Sequence, residues 1–181
     1  MLRLLRAAPR AATPRPRHPL HAARRNTVIT MAAWSCDYVH DAASGGAAEP
    51  SQAYLDAVAR LRSAKPAPHF LIFTSDRDDP STAGAAYWCP DCVTSLPAVR
   101  RAAEKKGASL LEVGVGGRAA WRGNAAHAFR GAPLSLTGVP TLVRLSSDGA
   151  TVAARLGPEL EAAGSPEEAE RLAAAFFEAA K

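Results

Sequence analysis

The chain lacks several features that would assign it to a particular class of protein. It has only three cysteines in 181 residues, so it cannot carry the dense disulfide framework of small secreted domains. No apolar run approaches the roughly 20 residues that a membrane-spanning helix requires. Aromatic residues make up 6% of the sequence, and much of its apolar content is alanine. We therefore expect one soluble domain whose large core residues fall in a few segments.

Acidic residues are absent from the first 30 positions, where seven arginines lie. The whole chain has 22 Lys and Arg, so 15 remain beyond this segment, against 17 Asp and Glu. The net charge of +5 therefore comes from the N-terminal segment alone. The rest of the chain has no basic pattern that would predict nucleic-acid binding.

This N-terminal composition is typical of an organellar transit peptide, which is rich in arginine and poor in acids. The lack of serine favours a mitochondrion over a plastid. We predict that residues 1–30 are a disordered targeting leader; the cytosol is expected instead if they are only a basic tail, or if synthesis starts at Met31. Residues 31–50, with a run of small residues at 42–48, are expected to be a linker or N-terminal extension. The folded domain is then residues 51–181.

Helical and strand-like patterns alternate along this domain. Apolar spacing predicts a helix over residues 51–65, whose buried face carries Tyr54, Leu55, Val58 and Leu61. The apolar runs at 69–74 and 109–115 have the length of buried strands. Between them, residues 90–106 form a predicted helix with proline at its first position and Gly107 just after its end.

Turn and capping residues organise the last part of the chain. Asp148-Gly149, between strand-like segments at 141–146 and 151–156, predicts a β-hairpin. A capping box that starts at Ser165, with proline at the first helical position, predicts a final helix. The predicted order is helix, strand, helix, strand, short helix, strand, strand, helix. This order indicates an α/β fold with a mixed central sheet flanked by helices.

The pentapeptide Trp88-Cys89-Pro90-Asp91-Cys92 has the clearest chemistry. Cys89 precedes the predicted helix, where unpaired backbone N–H groups and the helix dipole favour an anion and lower a thiol pKa. Cys92 lies one turn inside the helix, where it can resolve a mixed disulfide formed by Cys89. We therefore predict that Cys89 is the exposed nucleophile and Cys92 the shielded resolving thiol. Trp88 would shield one side of the sulfur, and the charge of Asp91 would oppose the thiolate.

The same two cysteines could instead form half of a zinc site. Cys36 and His40 would offer two further ligands of suitable type. The Pro-Asp dipeptide between the paired cysteines suits a helix start better than a zinc turn, so a zinc-stabilised structural module is the weaker alternative. Cys36 itself is expected to behave as a small, partly buried apolar residue, and its role stays open.

The ordered set of motifs resembles the thioredoxin-like proteins called Clot, the thioredoxin-related disulfide reductases of eukaryotes. Their active-site pentapeptide is Trp-Cys-Pro-Asp-Cys, and a longer loop precedes it than in ordinary thioredoxins. Further matches resemble the proline of the active-site helix, a segment between the middle strands and the cis-proline element of thioredoxin folds. In chain order these are Pro97, Trp121-Arg122 with Phe129-Arg130, and Gly138 to Leu142. The resemblance covers roughly residues 51–181.

The resemblance implies a thioredoxin fold and a protein-disulfide reductase that acts on a restricted set of protein or small-molecule disulfides. It implies electrons from NADPH through thioredoxin reductase, with no cofactor bound. By the same resemblance, Val139 offers its backbone to an extended substrate strand and Pro140, in a cis bond, packs beside the cysteines. The preceding strand lacks the buried carboxylate of ordinary thioredoxins, so another base or water has to serve Cys92.

We also expect a monomer whose partners include neither nucleic acid nor membrane. The alternative to a reductase, besides the zinc module, is a thioredoxin-fold binding module that keeps both cysteines but turns over little. Reduction of a small disulfide in the presence of a reductase and NADPH separates the enzyme from the binding module.

The leader hypothesis predicts that residues 1–30 carry targeting information and no part of the active site. A fluorescent reporter fused behind them should accumulate in an organelle, and the same segment with its arginines changed to glutamine is the control. Deletion of residues 1–30 should leave stability and turnover unchanged. A reporter that stays in the cytosol contradicts the targeting role, and a loss of turnover contradicts the assignment of these residues to a separate leader.

Overall fold

The structure, a computed structural model, describes residues 34–64, 67–77 and 87–180. The predicted leader at residues 1–30 lies outside the described residues, as does most of the long loop before the pentapeptide. In the described part, no helix is long and apolar enough to cross a membrane.

Five strands form one mixed sheet: β1 Cys36–Val39, β2 Phe70–Thr74, β3 Leu110–Gly114, β4 Thr141–Leu145 and β5 Val152–Leu156. Their order across the sheet is β1-β3-β2-β4-β5. β3 runs parallel to β1 and β2, whereas β4 is antiparallel to β2 and β5. The mixed sheet predicted from the order of elements is confirmed.

In the part of the chain that the structure describes, three long helices and three short helical segments accompany the sheet. The long ones are α1 Gln52–Ala64, α2 Pro90–Lys106 and α5 Pro166–Glu178. The short ones are α3 Arg118–Trp121, a 3₁₀ turn at Ala128–Arg130 and α4 Pro158–Glu161. The predicted capping box opens α5, because the Ser165 hydroxyl accepts a hydrogen bond from the Glu168 amide at 3.2 Å.

β2 is buried along its whole length because helices pack against both faces of the sheet. Leu71 and Phe73 belong to an apolar cluster with α1, while Phe70 and Ile72 belong to a second cluster with α2 and α5. The Phe177 ring of α5 packs edge-on against Phe70, with ring centres 4.8 Å apart. A strand covered on both faces requires apolar residues at successive positions, which is the pattern seen in the sequence.

α2 begins and ends where the sequence predicts. Pro90 occupies its first turn, and Gly107 ends it in the left-handed conformation with a φ of 65°. The amides of Gly107 and of the next residue donate to the carbonyls of Glu104 at 3.0 Å and Ala103 at 2.9 Å, so carbonyls of the last turn have partners. Pro97 lies inside the helix, as its resemblance to the thioredoxin helix proline implies.

The segment at residues 31–50 contributes the edge strand of the sheet, so the linker interpretation is wrong for Cys36–Val39. This strand pairs in parallel with β3, and Ala42 and Ala43 after it are fully buried. The sequence signal is weak because a four-residue strand with half-exposed residues has too short a pattern to separate it from a loop.

Two further expectations differ from the structure. Leu55 is 48% exposed, so its placement on the buried face of α1 is wrong, whereas Tyr54 and Leu61 are buried. Of the four predicted positions, 54, 58 and 61 lie on the stripe that faces the sheet, together with the buried Ala57. The short helix α4, which follows β5 directly, is not among the predicted elements.

The end of α2 allows a test of backbone conformation separate from packing. A Cβ at Gly107 would meet no atom within 4 Å, but its φ is positive; a Cβ at Gly117 would also meet none, and its φ is −65°. Gly107→Ala should therefore lower the free energy of unfolding by about 1 kcal/mol, since an L residue is strained in this conformation. Gly117→Ala should leave it unchanged or slightly higher. Equal effects in urea denaturation would contradict this account of the helix end.

Candidate active site

Cys89 and Cys92 lie at the start of α2, just beyond the carboxyl end of β2. Cys89 has an extended backbone, with φ −100° and ψ 116°, and immediately precedes Pro90 at the first helical position. Both cysteines are free thiols. Cys92 is completely buried and Cys89 is 7% exposed. Cys89 is the less buried residue of the pair, but the expectation that it is openly exposed is wrong.

The two sulfurs have opposite pKa shifts. A hydrogen bond donated by the Cys92 thiol is the main reason that the pKa of Cys89 is lowered from 9.0 to about 7. The backbone amides of Cys92 and Asp91 act in the same direction, whereas burial and the Asp91 carboxylate oppose them. Burial is the main cause that raises the pKa of Cys92 far above its usual value. Cys89 therefore carries the thiolate and Cys92 holds the proton.

The cis-proline element closes one side of the Cys89 sulfur. The Val139–Pro140 bond is cis, as predicted, and the Val139 carbonyl lies 3.3 Å from the Cys89 sulfur. The sheet explains this approach, because β4 is antiparallel to β2 and Phe73 pairs with Thr141. The residues just before β4 therefore lie beside the residues just after β2.

A cleft of about 280 Å³ opens beside Cys89. Its lining includes Trp88, Cys89, Pro90, Asp91, Trp121, Arg122, Arg130, Val139 and Glu161. The Trp88 indole is fixed by a 2.9 Å hydrogen bond from its Nε1 to the Gly116 carbonyl. The larger cavity beside α1, of about 500 Å³, holds no cysteine, so the chemistry assigns the site to the smaller cleft.

The cleft has acidic and basic walls. The Arg130 guanidinium stacks over the Trp121 ring at 4.0 Å and donates to the Thr137 carbonyl at 3.0 Å. On the other wall, burial and the nearby Asp91 charge raise the pKa of Glu161. A partner that enters the cleft therefore meets fixed charges of both signs next to the Cys89 sulfur.

A buried ion cluster anchors the chain just before the pentapeptide. Glu112 of β3 is 1% exposed and accepts a 2.6 Å hydrogen bond from the Tyr87 hydroxyl. Arg100 of α2 forms an ion pair with the same carboxylate. Arg77, which bridges to Tyr87 across the long loop, donates to the Tyr87 hydroxyl at 3.1 Å. Arg77 at one end of the loop and Tyr87 at the other are thereby held at Glu112 of the sheet, and Tyr87 directly precedes Trp88.

Cys36 and His40 lie in different surroundings from the paired cysteines. Burial, followed by the charge of Glu112, raises the pKa of Cys36 to about 11, whereas His40 lies 3.3 Å from the Asp76 carboxylate. Within the described residues, no group of three or more His, Cys, Asp or Glu side chains is arranged to hold a metal ion. The zinc hypothesis therefore gains no ligand set from these residues.

Ser75 is a site residue that the sequence analysis did not single out. Its amide donates to the Cys92 sulfur at 3.5 Å, and its hydroxyl accepts from the Cys89 amide at 3.3 Å. Its position directly after a buried strand, in a fold where the nucleophile follows that strand, is the only signal that could have indicated it.

Comparison with known proteins gives consistent matches. Residues 51–156 match the family described as thioredoxin domain-containing protein 17-like, thioredoxin domain. The chain is 40% identical over 83 residues to a thioredoxin-like protein Clot from Arabidopsis thaliana, and the match covers 44% of this chain and 59% of that protein. A protein of the same name from Oryza sativa subsp. japonica is 40% identical over 96 residues, which cover 49% of this chain and 65% of the relative.

A thioredoxin domain-containing protein 17 from Epinephelus coioides is also 40% identical, over 77 residues that cover 41% of this chain and 58% of the relative. The chain therefore spans less than two thirds of the length of each of these curated relatives.

The charge of Asp91 should set part of the Cys89 pKa. Because this exposed carboxylate disfavours the thiolate, Asp91→Asn should lower the pKa of Cys89, by less than about 1 pH unit since solvent screens the charge. Thiolate absorbance at 240 nm, followed from pH 5 to 9, measures the midpoint. Glu104→Gln, which removes one charge from the far end of the same helix, is the control. A midpoint that rises in Asp91→Asn contradicts the sign of this interaction.

Proposed function

The chain belongs to the thioredoxin domain-containing protein 17-like family of thioredoxin-fold proteins, and from this premise we propose that it is a protein-disulfide reductase with Cys89 as nucleophile and Cys92 as resolving thiol. One observation carries the proposal: Cys89 immediately precedes the first residue of α2, and Cys92, buried one turn inside the helix, lowers the pKa of Cys89 to about 7. A thiol of this pKa is about half ionised at neutral pH while it keeps its nucleophilicity.

The reaction proceeds in two exchanges. The Cys89 thiolate attacks one sulfur of the substrate disulfide; a mixed disulfide forms, and the other substrate sulfur departs as a thiolate. Cys92 then loses its proton and attacks Cys89, so that the internal disulfide forms and the second substrate sulfur is released. Two electrons pass from the cysteine pair to the substrate. Cys89 and Cys92 lie within one helical turn of each other at the start of α2, and this closeness supports the second exchange.

We propose that the internal disulfide is reduced by thioredoxin reductase with electrons from NADPH, and that the chain acts as a monomer with no cofactor of its own. The narrow, mixed-charge cleft supports a restricted set of disulfides, because a substrate has to complement both acidic and basic walls. The Val139 carbonyl beside the Cys89 sulfur supports docking of an extended substrate strand against this edge. The arginine-rich leader supports action in a mitochondrion, with a plastid or the cytosol as the alternatives.

A binding module with little turnover is the competing proposal. The low exposure of Cys89, at 7%, favours it, because a sulfur that substrates hardly reach would react slowly. Turnover of disulfides decides between the two.

Substitution of one cysteine at a time by serine tests the assignment of nucleophile and resolving thiol. Cys89→Ser should abolish reduction of disulfides in a coupled assay with thioredoxin reductase and NADPH, because a hydroxyl near neutral pH cannot replace a thiolate. Cys92→Ser should still attack but stop at a mixed disulfide that mass spectrometry identifies. Cys36→Ser, the matched control, should keep full turnover.

Two outcomes would contradict the proposal. A stable adduct at Cys92 in the Cys89→Ser protein would reverse the two roles. Absence of turnover in the unchanged protein, across a panel of small and protein disulfides, would favour the binding module.

A further inference from the structure

Thr74, the last residue of β2, has a buried hydroxyl whose hydrogen-bonding capacity is unused. Its side chain is fully buried, and within the described residues its Oγ1 has no hydrogen-bond partner of regular geometry. Buried polar groups in folded proteins are nearly always paired, so an unpaired one needs an explanation in the chemistry of its surroundings. A neighbouring group to which this hydroxyl can donate a hydrogen bond in another state of the reaction would provide that explanation.

The Cys92 sulfur is that group. The Thr74 hydroxyl lies close enough to it to lower the pKa of Cys92, against the larger effect of burial. The next amide along the chain, that of Ser75, donates to the same sulfur at 3.5 Å. The end of β2 thus places an unpaired, fully buried hydroxyl next to the amide that donates to the completely buried Cys92 sulfur.

Asp76, the first acidic residue after β2, makes its hydrogen bonds with other groups. The Asp76 carboxylate accepts hydrogen bonds from the Tyr38 hydroxyl at 2.9 Å and from the Asp41 amide at 3.0 Å, and it pairs with His40 at 3.3 Å. These partners lie in and after β1, at the edge of the sheet. The groups of β2 and the next residue that lie beside the Cys92 sulfur are therefore neutral: the Thr74 hydroxyl and the Ser75 amide.

A hydroxyl is suited to both states of the resolving thiol. While the Cys92 proton is donated to Cys89, the hydroxyl makes no hydrogen bond of regular geometry; after a rotation about one bond it donates to the Cys92 sulfur once that proton has left. Such a charge-assisted hydrogen bond is stronger than one between neutral groups. The unsatisfied geometry in the dithiol form leaves the hydroxyl free to make it.

We propose that Thr74 is a catalytic residue of the resolving step, in which its hydroxyl donates a hydrogen bond to the Cys92 sulfur as that sulfur becomes a thiolate. This inference rests on the proposed disulfide exchange. The Cys92 proton passes to solvent, the bond between the two cysteine sulfurs forms, and the bond from Cys89 to the substrate breaks. The substrate sulfur leaves as a thiolate with the electron pair of that bond.

The first exchange does not involve this hydroxyl, because the attacking sulfur is that of Cys89, which is about half ionised at neutral pH without it. Thr74→Val, which keeps the shape of the side chain and removes the hydroxyl, should therefore slow the second exchange alone. Thr74→Ser keeps the hydroxyl and should restore it. This contrast separates a chemical role from a packing role, since serine fills the site less well than valine.

A single-turnover reaction with 5,5′-dithiobis(2-nitrobenzoate) measures both exchanges in the Cys36→Ser background, where the third thiol is removed. Attack by Cys89 releases one coloured thiolate at a rate that depends on reagent concentration, and resolution by Cys92 releases a second at a rate that does not. In Thr74→Val the second release should be slower by about tenfold or more, as expected for loss of a hydrogen bond to a charged group. Its pH midpoint should also move upward, while the first release stays within about twofold of the parent.

The possible outcomes are distinct. A second release in Thr74→Val as fast as in the parent, with an unchanged pH profile, overturns the role of Thr74 and leaves the proposed reductase intact. A Thr74→Ser protein slowed as much as Thr74→Val assigns the effect to packing and also overturns it. Absence of the first release in the parent refutes the proposed function itself. Circular dichroism checks the fold, and if Thr74→Val does not fold, Thr74→Ala takes its place in the same comparison.

Discussion

The hydrogen bond from the Cys92 thiol to the Cys89 sulfur is the interaction on which the site depends. Together with burial, it separates two chemically identical side chains into a thiol of lowered pKa, Cys89, and one of raised pKa, Cys92. The division requires that one sulfur precede the helix while the other lies one turn inside it, and a helix that begins at Pro90 meets that requirement. It also requires that the inner sulfur be kept from water, which the completely buried position of Cys92 provides. Helix start and burial thus act on the same pair.

The sheet brings the remaining groups to this pair. β2 and β4 are antiparallel neighbours, so the end of one and the approach to the other converge on Cys89 from two sides. The third contribution comes from β3, where the buried Glu112 fixes Tyr87 and hence the chain that enters the pentapeptide. A buried carboxylate is costly unless it is paired, and here Arg77 and Arg100 accompany it. The paired Glu112 carboxylate thereby holds Tyr87, and with it the start of the pentapeptide, in a fixed position.

Local signals in the sequence predicted the start of α2 at Pro90 and its end before Gly107, because each depends on neighbours within one helical turn. The edge strand at Cys36–Val39 was missed because its four residues, of which only Val39 is buried, are too few to show a clear period. Ser75 and the Glu112 cluster could not be predicted either, since their contacts depend on which strands are adjacent in the sheet. The burial of Cys89 was misjudged for the same reason: the Val139 carbonyl that covers it lies 50 residues further along the chain.

The most direct test of the central claim is the reactivity of each cysteine as a function of pH. The reduced full-length protein is treated with iodoacetamide from pH 5 to 10, and mass spectrometry reports the alkylation rate at every thiol. The account predicts a midpoint near 7 for Cys89, and much slower reaction of Cys92 and Cys36 across the neutral range. Equal rates at Cys89 and Cys92, or a first reaction at Cys92, would mean that the helix start does not select the nucleophile and would contradict the account.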